Sequence, residues 1–156
     1  MTSPELVVVR LERVPLALMQ EASEHQDEMR REFSLIQQSS SDDETTVPLR
    51  LPRLRDELEV HFAAFSEGPR AAFTAALERG DETIDLEYQI PPEARAACIT
   101  LGELLDEADE FCKRGEHLLT LTTPAEPLAL RRWFLGEFVA QIDGADPTPW
   151  DKWEHR

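Results

Sequence analysis

The spacing of apolar residues constrains this chain more than anything else, because it changes period once and then changes back. Ile84, Leu86, Tyr88 and Ile90 alternate with Asp85, Glu87 and Gln89, the two-residue repeat of a strand that is wetted on one face. Elsewhere the repeat is helical. Leu18, Ala22, His25, Met29, Phe33 and Ile36 share one side of a helix from about Pro15 to about Gln38. Leu51, Leu54, Leu58, Phe62 and Phe65 form the stripe of a second helix beginning near Pro52. Gly68-Pro69 is expected to break it, leaving a shorter helix with Phe73, Ala76 and Leu77 that ends at Gly80. Pro92 opens a helix faced by Ala97, Leu101, Leu104, Leu105, Ala108, Phe111 and Cys112, with Gly115 as its stop. A last helix over about 126–143 carries Leu130, Trp133, Phe134, Phe138, Val139 and Ile142, an unusually wide apolar face.

Residues 5–12 read as a short strand and 117–121 as another. The expected fold is mainly α, with four to five helices packed as a bundle beside two or three short β-strands. Helix should hold about 60% of the residues, well above the usual third. A crossover from 84–90 through the following helix to 117–121 permits parallel pairing. Residues 1–143 form one domain, interrupted by a mobile acidic, serine-rich loop at 39–47. Residues 144–156 form a tail with Pro147, Pro149, Trp150 and Trp153.

Charge excludes several functions. The chain has 32 Asp and Glu against 16 Lys and Arg, a net charge of −16. Nucleic acid and anionic membrane surfaces repel such an exterior. Nothing reaches the ~20 apolar residues of a membrane span, and no basic, apolar leader precedes Leu6-Val7-Val8-Val9. Cys98 and Cys112 lie 14 positions apart on one expected helix, about 21 Å, beyond disulfide reach. A reduced, cytoplasmic protein is expected.

No catalytic constellation stands out. Phosphate-binding glycine motifs and a nucleophile elbow are missing from the sequence. Glu21 and His25, like Glu57 and His61, are spaced i, i+4, where a carboxylate-bridged di-metal bundle uses i, i+3. Cys112 belongs to a buried face, where a thiol is inert. No catalytic, cofactor or metal residues are therefore assigned. Arg131, Arg132 and Trp133 admit two readings, ion pairs at the core margin or a docking surface, since Arg and Trp dominate interface energetics. Trp150 and Trp153 either fold back on the domain or await a partner.

Several stretches carry a resemblance: HQDEMRREFSLI (25–36), IDLEYQIPPEA (84–94), LLDEADEFCKRGEHLLTL (104–121), RRWFLGEFVAQI (131–142) and PTPW (147–150). Together they resemble a group of small acidic actinobacterial proteins without assigned chemistry. The resemblance implies a place beside partner-switching modules, in which an anti-sigma ATPase kinase, an antagonist and a phosphatase control a sigma factor. Residues 118–142 also look like the opening strand and helix of the anti-sigma ATPase domains. Nucleotide binding does not follow, because the chain has no asparagine and no glycine-rich lid.

The leading expectation is a non-enzymatic cytoplasmic regulator. It would act by binding protein, an anti-sigma ATPase or antagonist, through Arg131, Arg132, Trp133, Trp150 and Trp153. One alternative is a small-molecule binder or enzyme with a pocket between helices, lined by His25, Glu32, Glu107 and Arg132. Another is a structural protein that forms a homodimer through the wide apolar face of the last helix.

Overall fold

A computed structural model describes residues 5–39, 47–114 and 122–154. Strand β1 (Val7–Pro15) leads into helix α1 (Leu16–Ser39), followed by α2 (Val47–Arg79), β2 (Thr83–Ile90), α3 (Ala94–Arg114) and α4 (Ala125–Ile142); a single 3-10 turn, Trp150–Lys152, lies in the tail. The fold is mainly helical, as the periodicity requires, with helix at 71% of the described residues.

The two strands pair antiparallel, with Val9 opposite Tyr88 and Leu11 opposite Leu86. Their alternation sorts the faces. Val9, Leu11, Val14, Leu86 and Ile90 are buried, while Val8, Arg10, Asp85, Glu87 and Gln89 are exposed. The register shifts between Leu11 and Val14, and Arg13 takes φ 59° there, a left-handed conformation uncommon outside glycine. The Asp85 carboxylate accepts the Arg13 N–H at 2.8 Å, and the Arg13 side chain pairs with Asp151 of the tail at 2.9 Å. The expected third strand, 117–121, lies outside the described residues, as does 40–46 of the acidic loop.

The sequence reading needs correction at one helix. Gly68-Pro69 does not end a helix; α2 runs through it without a break for 33 residues. Proline removes one N–H and crowds the preceding turn, a cost of about 3 kcal/mol. The apolar stripe nevertheless continues in phase past it, from Phe62 and Phe65 to Phe73, and all three pack against the sheet cluster. The packing offsets the local penalty. Where α2 does end, Gly80 takes φ +78°, its N–H reaching the Leu77 carbonyl and Asp81 N–H reaching that of Ala76. This is the left-handed stop that glycine adopts without strain.

Two buried clusters make the core. One joins the inner sheet face to Ala94, Leu130, Trp133 and Phe138. The other joins Met29, Phe33 and Leu51 to Leu104, Leu105, Ala108 and Cys112.

Candidate functional site

The five residues expected to dock a partner are mostly used inside the fold. Trp133 is 0% exposed, its indole N–H donating to the Thr148 carbonyl at 2.8 Å. It follows Leu130 on the inward stripe of α4, which places it in the core. The Arg131 guanidinium is only 9% exposed. It donates to Asp109 at 3.1 Å and to Asp106 at 2.7 Å, tying α4 to α3. Asp109 also accepts from the Thr123 N–H and hydroxyl, at 3.0 and 2.7 Å. Arg131 thus serves as an ion pair at the core margin. Only Arg132 is exposed.

The tail folds back. Trp150 meets Trp133 edge to face at 5.6 Å, Trp153 stacks on Trp150 at 5.9 Å, and both are half-buried against the sheet cluster. A buried polar cluster on α4 holds them there. Glu137 accepts the Thr148 N–H at 2.8 Å and the Gln141 amide N–H at 3.0 Å. Gln141 in turn bonds both backbone groups of Arg10 on β1, each at 2.8 Å. Sequence reasoning missed Gln141 and the hydrogen bonds that Glu137 accepts. The signal was the i, i+4 and i, i+8 spacing of these two residues from Trp133, which places two polar residues on an inward-facing stripe.

The expected inter-helix cavity exists, but its polar lining differs from expectation. Glu32, Glu107 and Arg132 are exposed and Glu107 pairs with Arg50, while His25 is buried with its Nε2 unpartnered among the described residues. None of the four lines the cavity. Instead, a cavity of about 650 Å³ opens between α1, α2, β2, α3 and α4. Helix α2 contributes Arg55, Leu58, Glu59, Phe62, Ser66, Pro69, Arg70 and Phe73. That is one unbroken helical stripe, so the cavity follows α2 for about 27 Å at 1.5 Å per residue. Opposite it stand Met19, Ala22 and Gln26 of α1, Tyr88 and Ile90 of β2, Ala97 and Cys98 of α3, and Phe134 of α4. Small residues on two walls, Ala22 and Ala97, leave the space that larger side chains would fill.

Its titratable lining is divided. Burial pushes the Cys98 thiol up to about 11 and the Tyr88 hydroxyl up to about 12, Arg70 pulling the latter back only in part. Both are protonated at neutral pH, and Cys98 is no nucleophile there. Arg55 is half-buried, and its guanidinium donates to the Gln26 amide oxygen at 2.6 Å. Desolvation, then the nearby Arg30, lowers its pKa; Asp27, Glu59 and Asp56 pull it the other way. Among the described residues no group of three or more His, Cys, Asp or Glu is placed to hold a metal ion, and no helix is long and apolar enough to cross a membrane. No known protein family, curated protein or solved structure matches this chain.

Proposed function

We propose that this is a non-enzymatic binding protein whose ligand is an apolar small molecule held in the inter-helix cavity. The observation that supports this reading is the cavity itself. A space of 650 Å³ walled by Phe62, Phe73, Tyr88 and Phe134 falls in the range of small-molecule sites. The docking residues that favoured a protein-binding tail are, Arg132 apart, engaged inside the fold.

The regulatory role implied by the resemblance is part of the same proposal. A cytoplasmic protein with two unbridged cysteines and a net charge of −16 suits a basic protein partner, steered by charge and weakened by salt. Ligand occupancy would then be the signal the partner reads.

Titration with 1-aminoanthracene, a neutral fluorescent aromatic, tests the cavity. One saturable site is expected, abolished by Ala22→Phe and by Ala97→Phe, which fill it from opposite walls. Absence of binding would sink the proposal, as would binding that survives both substitutions in variants with native-like melting.

A further inference from the structure

The strand register points to the outer edge of β2 as the docking site for an extended, basic segment of a partner protein, which adds there antiparallel as a third strand. This rests on the protein-partner half of the function proposed above, and it names the surface and the kind of segment.

The first argument is which backbone groups the fold leaves over. In an antiparallel pair, successive residues turn their N–H and C=O alternately towards the neighbouring strand and away from it. Arg10 donates its N–H to the Gln141 side chain and accepts from it through its C=O, so Arg10 points away from β2. Glu87, opposite Arg10, therefore points away from β1, and Gln89, opposite Val8, has the same orientation. No turn, cap or side-chain hydrogen bond among the described residues uses the N–H or C=O of Glu87 or Gln89, and both residues are exposed. Backbone groups without a protein partner are satisfied by water, and an incoming strand replaces that water with its own main chain. β2 itself carries neither a bulge nor a proline to deter pairing.

Charge selects the occupant. Asp85 and Glu87 lie on the exposed face of β2, and each keeps one carboxylate oxygen over. Glu87 Oε1 takes Arg10 Nε at 3.1 Å and Asp85 Oδ1 takes the Arg13 N–H at 2.8 Å, while Glu87 Oε2 and Asp85 Oδ2 accept nothing among the described residues. A basic residue opposite Glu87 on the added strand extends the pair to a row of three alternating charges, the favourable cross-strand arrangement. A second copy of this chain would bring the same acidic row and set carboxylate against carboxylate. The inner face fixes the residues in between. Leu86, Tyr88 and Ile90 line the inter-helix cavity, and no described residue of β1 does, so the cavity lies under β2. An added strand directs its inward side chains towards the same apolar space. The matching segment alternates basic and apolar residues.

Calorimetric titration of the full chain with a capped heptapeptide of alternating valine and arginine, valine at both ends, tests the assignment. Two isomers of this probe carry three backbone N-methyl groups each, on the three arginines or on three of the valines. Their charge and composition are equal, so main-chain pairing alone separates them. In the antiparallel arrangement the arginine amides face β2, and methylating them should weaken binding about tenfold or more relative to the valine isomer. Gln89→Pro removes an edge N–H that this chain does not use, and should weaken the unmodified peptide in the same direction. Val8→Pro, the same change on the opposite rim, should leave its affinity as it was. Equal binding of the two isomers reduces the interaction to charge attraction and overturns the edge; the reverse ranking overturns the antiparallel arrangement. Failure of the unmodified peptide to bind overturns the proposal as well. None of these results touches the cavity reading, which stands or falls on 1-aminoanthracene.

Discussion

Asp106 and Asp109 share one guanidinium, and the two differ in a way that separates distance from burial. Asp106 makes the shorter contact to Arg131, 2.7 Å against 3.1 Å, but its side chain is 58% exposed whereas that of Asp109 is 10% exposed. If contact length decided the energy, Asp106→Asn would be the more damaging change. Burial predicts the reverse. An exposed partner competes with water and is worth about 1 kcal/mol or less. Removing one member of a buried pair costs about 3–5 kcal/mol, because the remaining charge is left without compensation. Asp109→Asn keeps the acceptor that Thr123 uses and sets an amide N–H against Arg131. Asp106 still holds part of the charge, so the expected loss is at the lower end, about 3 kcal/mol. At about 2–4 °C per kcal/mol for a chain of this size, melting should fall by about 6–12 °C in Asp109→Asn and by less than about 4 °C in Asp106→Asn. Urea unfolding with unchanged m-values would confirm that the folded state is what changed. Replacing both partners, Asp109→Asn with Arg131→Met, should recover part of the loss. A larger cost for Asp106→Asn than for Asp109→Asn would refute the reasoning.

Two further outcomes follow from the same physics. Glu137→Ala strips the Thr148 N–H and the Gln141 amide of their buried acceptor, at about 1–3 kcal/mol for each donor left unpaired; the tail should loosen, read as a red shift in tryptophan emission and faster cleavage after Gly144, and an unmoved spectrum with unchanged cleavage would contradict it. Cys98 and Cys112 keep their protons up to about pH 11 and Tyr88 up to about 12, in each case mainly through burial, with Asp109 adding to the effect at Cys112. Their folded pKa values lie above the unfolded ones, so between about pH 9 and 11 the folded state holds more protons. Stability should be level on their account below about pH 8.5 and then fall as pH rises, with a slope approaching 1.4 kcal/mol per pH unit for each group. Cys98→Ser should flatten urea midpoints measured across that window, and midpoints level to pH 10.5 in the parent chain would count against the burial.

The strands were legible because a two-residue alternation has one physical solution, and Ile84–Ile90 carries it without interruption. The helices were legible in the same way, except where a local rule met a global one. Gly68-Pro69 is a strong local stop, yet the stripe from Arg55 to Phe73 keeps its phase across it, and that phase was the better guide. Trp133 illustrates the limit for the site. Its residue type suggested an interface, while its place between Leu130 and Glu137 on α4 put it in the core, and position outweighed type. The hydrogen bond from Arg55 to Gln26 was hidden altogether, since it depends on which acceptors the fold brings within reach. A cavity is harder still to read from sequence, because it records side chains that do not meet.

The amide of Gln141 has a consequence beyond holding the tail. A two-stranded sheet leaves a rim of backbone donors and acceptors, the surface on which a strand from another molecule adds to start an aggregate. By filling both valences of Arg10 from within the molecule, Gln141 occupies the slot such a strand would need. The left-handed kink at Arg13 disturbs the same rim three residues on. A strand adding there would first have to displace the Gln141 amide, a barrier that salt does not screen as it screens repulsion between acidic surfaces.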